Sequence, residues 1–226
     1  MSLELYGHPF SSYTQKVLIA LFESDLPHSF LSLDPGAENQ ARHAADWIKR
    51  WPLRKFPLLV DGERSVAETS VIIEYLQLAH PGPVPLLPAD PLAALNVRFL
   101  DRFFDLHVMT PVQQAVNGAL TGDTGKREEA LADTVKRLEV AYAWLEGHLT
   151  ATNSGAAWAA GTDFSMADCA AAPSLFYADW THPISTAFPA LAAYRARLLA
   201  RPSIARAVDG GRPFRHYFPL GAPERD

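Results

Sequence analysis

Cysteine is nearly absent from this chain: Cys169 is the only one in 226 residues. An internal disulfide is excluded, and stability must come from a packed core, as suits a reducing compartment. Long apolar runs are also missing, and none approaches the roughly 20 residues that a membrane-spanning helix needs. The opening MSLELYGHPF has no basic stretch leading into an apolar one, so no secretory leader is expected. No run of Lys or Arg exceeds two and the formal net charge is −5, which argues against a nucleic-acid surface. Metal-ligand spacings are lacking as well. The eight histidines are scattered with no HxxxH pair, and His43 with Asp46 makes too few ligands for a site. These absences lead us to expect a cytoplasmic protein with no metal, no nucleic-acid partner and no membrane partner.

What is present divides the chain in two. Leu3–Tyr6 reads as a strand, Tyr13–Ser24 as a helix with Tyr13, Val17, Leu18 and Leu21 on its buried face, and Phe30–Leu33 as a second strand. A weaker helix pattern covers Ala37–Arg50. Pro57–Val60 and Arg64–Val66 flank the turn signal Asp61-Gly62, and Glu68–Leu78 follows as a helix with Val71, Ile72, Tyr75 and Leu76 at helical spacing. Strands alternating with helices, plus one hairpin, predict a mixed sheet covered by helices. His80–Pro91 then carries five prolines in twelve residues, and proline fixes φ and removes a donor, so a linker is expected there. Beyond it Leu92–Leu120, Lys126–Leu149, Ser165–Ala178 and Ala190–Ala200 all read as helices.

Two stretches could carry chemistry. The first is HPFSSYTQKV, which sets Ser11, Ser12, Tyr13 and Thr14 between a strand and a helix. Hydroxyls there are ordinary helix caps, worth about 1 kcal/mol. They also stand where the helix dipole favours an anion. The turn has no cysteine, so the protein supplies no thiolate of its own at this place. The second stretch is KFPLLVDGERSVAETSVIIEYL, Lys55–Leu76. Phe56-Pro57 opens a strand and leaves an edge with which an extended peptide can pair. Glu68-Thr69-Ser70 begins a helix whose free N–H groups suit a carboxylate, with Glu68 able to accept from an ammonium. Together they match an α-amino-acid head. The plainer account is capping by Thr69 or Ser70, with Glu68 a solvated charge. A third stretch, Ser165–Asp168, has the S-x-x-D form of a capping box and is read as a folding element, with Cys169 beside it a small buried hydrophobe.

LYGHPFSSYTQKVLIAL, PLRKFPLLVDG, AETSVIIEYL and FSMADCAAAPSL occur in an order and spacing that resemble the cytosolic glutathione S-transferase family, serine type and bacterial-like. The resemblance implies an α/β thioredoxin-like N-terminal domain (1–80), a proline-rich linker (81–91) and an all-α helical C-terminal domain (92–226). It implies that Phe56 and a cis Pro57 present a backbone edge to the cysteinyl part of glutathione. Glu68 and Thr69 would hold the γ-glutamyl head, and Lys55, with Arg54, would add positive charge near the glycyl carboxylate. Arg42 or His43 could also reach that carboxylate.

Serine-type members place the active hydroxyl six residues before the valine of the first helix, which gives Ser11 here, with Ser12 second and Tyr13 third. Tyr6 resembles the tyrosine-type position only loosely. SSY departs from the SSC turn of zeta-type isomerases, and the turn lacks the cysteine of beta-type members. The implied activity is glutathione transfer, a detoxification chemistry in which the glutathione thiolate attacks a small apolar electrophile. A glutathione-dependent isomerase, a dehalogenase, or a non-catalytic glutathione-binding protein are the alternatives. Phe103, Phe104, His107 and Met109, with Tyr177, Trp180 and Phe214, are candidates for the electrophile pocket. A homodimer is expected through the Thr69 helix and the first helix after the linker.

Overall fold

Alternation along the first strand decides what each face of the sheet meets. In β1 (Leu3–Gly7), Leu3 and Leu5 point one way and Tyr6 the other. Leu3 and Leu5 pack with Val17, Leu18 and Leu21 of α1 (Ser12–Glu23) and with Ile72 and Leu76 of α3 (Thr69–Ala79). On the opposite face Tyr6 joins Leu33, Leu58 and Val60 against Trp47 of α2 (Gln40–Arg50). β2 (His28–Ser32) runs parallel to β1, while β3 (Leu58–Asp61) is antiparallel to both β1 and β4 (Arg64–Ala67), giving the order β2-β1-β3-β4. This is the mixed, helix-covered sheet that the pattern predicts. The computed structural model describes residues 3–152 and 157–226.

From Pro91 the described chain is helical: α4 (Pro91–Phe103), α5 (Thr110–Leu120), α6 (Thr124–Thr152), α7 (Met166–Thr181), α8 (Pro189–Leu199) and α9 (Pro202–Gly211). The expected single helix over 92–120 is instead two helices joined by a π-helical segment, Phe104–Met109. α9 and the 3₁₀ segment Arg212–Tyr217 were not expected at all, because two glycines and a proline break the periodicity there. The centre of this half is α7, buried along Met166–Trp180. The proline-rich stretch is extended but pinned: Gln77 exchanges two hydrogen bonds of 2.8 Å with the backbone of Leu87, and the Leu86 carbonyl accepts from the Met166 N–H. Asp90 then caps α4, with Pro91 in its first turn.

Two side chains differ from the sequence pattern. Val71 keeps helical spacing with Tyr75 yet is 55% exposed, while Ile72 and Leu76 are buried. Lys16, which helical phase does not mark as core, is 1% exposed. Among the described residues no helix is long and apolar enough to cross a membrane.

Candidate active site

The turn between β1 and α1 is built around a close approach. A Cβ on Gly7 would stand 2.7 Å from the Thr14 side chain, so only glycine lets the strand end against the helix start. Ser11 is the N-cap of α1 and its Oγ accepts from the Thr14 N–H at 3.3 Å. Its own N–H donates to the His8 carbonyl at 3.0 Å. Ser12 and Thr14 are buried, whereas Tyr13 is half-buried rather than part of the core. The Tyr177 hydroxyl donates to the Phe10 carbonyl at 2.6 Å, so α7 clamps this turn from the helical half. Burial pushes the Tyr177 hydroxyl well above its ordinary pKa, and it remains a donor.

A cleft of about 740 Å³ opens beside the turn. Lys55, Phe56, Pro57, Glu68 and Thr69 all line it, as do Tyr13, Arg102 and Gln113. The Phe56-Pro57 peptide is cis. Glu68 has φ 68° and ψ 118°, a backbone conformation uncommon for a residue with a side chain. Such outliers gather at ligand clamps. The N-cap of α3 is Glu68 with no side-chain cap hydrogen bond, so the plainer account, capping by Thr69 or Ser70, does not hold. The N–H groups of its first turn are therefore open to an anion. Ser70 is used elsewhere: its Oγ donates to Asp101 at 2.6 Å and accepts from Lys16 at 3.1 Å. Lys16 Nζ lies 2.6 Å from Asp101 and 2.9 Å from Asp105, so three elements meet at one buried cation under the cleft. Burial raises the Asp105 carboxyl, with Lys16 pulling against it.

The other sequence candidates divide. His43 hydrogen-bonds the Ser32 carbonyl at 3.2 Å. Neither His43 nor Arg42 nor Arg54 lines the cleft. Tyr6 donates to Asp46 at 2.5 Å on the α2 face of the sheet, and burial, followed by that carboxylate, pushes its hydroxyl up. It takes no part in the turn.

A second recess of about 160 Å³ adjoins the turn and is largely apolar. Ser11 and Ser12 line it with Phe10, Met109, Val112, Val116, Tyr177 and Phe218. Met109 and Tyr177 were expected. Phe103, Phe104, His107, Trp180 and Phe214 do not line it. Phe103 and Phe104 belong to the helical core, Trp180 packs on Phe176, and Phe214 lies against His8. Val112, Val116, Tyr217 and Phe218 escaped the sequence reading. The two valines keep helical spacing with Met109, which was the one signal available for them.

Asp168 behaves as a folding element. It is fully buried and accepts from the Ser165 N–H, Ser165 Oγ, the Ala159 N–H and the Tyr194 hydroxyl, all within 3.0 Å. Burial raises its carboxyl against the pull of those donors. Cys169 is buried beside it, and its thiol is pushed up by burial.

Residues 5–84 match the model of the glutathione S-transferase N-terminal domain, and residues 128–197 match that of the C-terminal domain. A probable maleylacetoacetate isomerase of Vibrio cholerae is 27% identical over 94% of this chain and 98% of its own length. A glutathione S-transferase of Pseudomonas putida is 29% identical over 74% of this chain and 70% of its own. A glutathione transferase homologue from Drosophila mojavensis, solved with bound glutathione, superposes with a TM-score of 0.79 at 22% identity, covering 98% of each chain.

Proposed function

This chain belongs to the glutathione S-transferase family, and on that premise we propose that it activates the glutathione thiol at Ser11 for attack on a small apolar electrophile. The observation that carries this reading is the single cleft that gathers Lys55, Phe56, Pro57, Glu68 and Thr69 beside the Ser11 turn, with the start of α3 uncapped. In the scheme, Glu68 accepts from the γ-glutamyl ammonium. Thr69 and the first N–H groups of α3 receive its carboxylate, and Lys55 faces the glycyl carboxylate. The backbone before Pro57 pairs with the cysteinyl residue.

A free cysteine thiol is mostly protonated at neutral pH, with a pKa near 8.5. The Ser11 hydroxyl and the dipole of α1 stabilise the thiolate and lower that pKa. The sulfur then forms a bond to electrophilic carbon, and the leaving group departs with its electron pair. The adjoining apolar recess suits that electrophile. Nothing in this scheme calls for a metal. The same reading assigns residues 1–80 to glutathione binding, 81–91 to the linker and 92–226 to the helical domain. It places the activity in cytoplasmic detoxification. It also pairs two copies through exposed Val71 and Leu78 of α3 and Leu92, Leu95 and Phe99 of α4.

Ultraviolet titration of bound glutathione tests the assignment. Ser11→Ala should raise the thiol pKa and lower kcat/KM roughly a hundredfold, while Ser12→Ala should do neither. An unchanged thiol pKa in Ser11→Ala would overturn the assignment. The likeness to the Vibrio cholerae isomerase along nearly the full chain supports a second reading, isomerisation by reversible thiolate addition. Stoichiometry separates the two, since a transferase consumes glutathione and an isomerase returns it. Tight glutathione binding without turnover of any electrophile would instead indicate a non-catalytic binding protein.

A further inference from the structure

Three segments distant in sequence meet at one carboxylate, and one of them, through Tyr217, lines the apolar recess. Asp34, just after β2, accepts the Tyr217 hydroxyl at 3.3 Å and lies 3.2 Å from His8 Nε2, both at Oδ1. Its Oδ2 accepts the Gly36 N–H at 2.9 Å. His8 is occupied on its other side as well, because the Phe10 backbone N–H donates to Nδ1 at 3.1 Å. A backbone N–H can only donate, so Nδ1 must carry the lone pair. The ring proton then sits on Nε2 and faces Asp34. Burial pushes the Asp34 carboxyl up, and the hydrogen bonds from His8, Gly36 and Tyr217 outweigh it, so the group stays ionised and can only accept. The His8 and Asp34 side chains are only 15% and 10% exposed. The imidazole also packs edge-on against Phe214, at 4.9 Å between centroids.

Each arm of His8 leads to one part of the site. Nδ1 holds Phe10, and the His8 carbonyl holds the Ser11 N–H, so this arm fixes the turn that presents the hydroxyl. Nε2–H leads through Asp34 to Tyr217, whose side chain lines the apolar recess with Ser11 and Ser12. We infer that His8 is a positioning residue with two separable duties: Nδ1 sets the geometry at the glutathione sulfur, and Nε2–H, through Asp34, sets the Tyr217 wall that selects the electrophile. The inference rests on the reading of the Ser11 turn as the thiol site.

Two substitutions separate the duties. Asparagine places an acceptor where Nδ1 stands, and glutamine places a donor where Nε2 stands. His8→Asn should leave the bound-thiol pKa unchanged and raise the electrophile KM severalfold. His8→Gln should raise the thiol pKa and leave the electrophile KM near wild type. Tyr217→Phe removes only the hydroxyl and should match His8→Asn in electrophile KM, with glutathione KM unchanged. If wild type lowers the thiol pKa but His8→Asn and His8→Gln are indistinguishable on both readouts, this inference alone is overturned. If wild-type protein binds glutathione with an unshifted thiol pKa, the reading of the turn falls and this inference falls with it.

Discussion

The cleft assigned to glutathione and the recess assigned to the electrophile are neighbours built on opposite plans. The proposed glutathione-binding residues all lie within Lys55–Thr69, a single strand-turn-strand excursion fixed by the β3–β4 register. The recess takes its walls from Phe10–Ser12, Met109–Val116, Tyr177 and Tyr217–Phe218, which nothing local holds together. Gln113 lines both. A site whose specific groups come from one stretch feels the helical half only along the wall that Arg102 and Gln113 supply, whereas a site made by four stretches inherits every shift between them. Glutathione recognition should therefore be robust and electrophile choice easily altered.

The strongest attempt to break that contrast is to damage the helical half. Asp168→Ala strands the Ser165 and Ala159 N–H groups and the Tyr194 hydroxyl, so stability should fall by roughly 3 kcal/mol or more in urea unfolding. Glutathione affinity of the folded fraction should not change. A clean loss of affinity at unchanged stability would contradict the separation. Within the cleft, Glu68→Gln removes the charge opposite the ammonium and should weaken glutathione about 10- to 100-fold by calorimetry, with electrophile KM unaltered. Within the recess, Val116→Phe fills space and should raise electrophile KM about tenfold at constant glutathione affinity.

The smallest effect concerns the β3–β4 hairpin. Hydrogen bonds from His80, then Tyr75, hold the Asp61 carboxyl below its ordinary value. A carboxyl with a depressed folded pKa adds stability above its unfolded pKa, near 3.9, and loses it as pH falls through the folded value. Asp61→Asn should therefore be less stable than wild type at pH 7, and the gap should narrow in melts as pH is taken below the unfolded value toward the depressed folded one.

The same contrast explains what the sequence could reveal. Leu3, Leu5 and Tyr6 announce the two faces of the sheet by alternation, and Asp61-Gly62 announces the hairpin. Lys55–Thr69 was readable because its residues are adjacent in sequence and make chemical sense together. Nothing local to Lys16 signals its burial, because its partners Asp101 and Asp105 arrive from α4 and the π-helical segment. The bridge from His8 through Asp34 to Tyr217 was hidden for the same reason, and so were the recess walls at Val112, Val116 and Phe218. Ser11 lay between these cases: its capping role follows from local rules, whereas its preference over Ser12 came from family resemblance.

The π-helical segment Phe104–Met109 widens one turn between α4 and α5. Each residue of an α-helix advances about 100° around its axis. Losing one residue from this segment would rotate α5 by that angle, carrying Val112, Gln113 and Val116 away from the recess while every residue from Lys55 to Thr69 stayed where it is. Substrate range in this chain can thus change through the length of a helix, by insertion or deletion in a segment whose Met109 end lines the recess and whose Asp105 and Leu106 border the cleft.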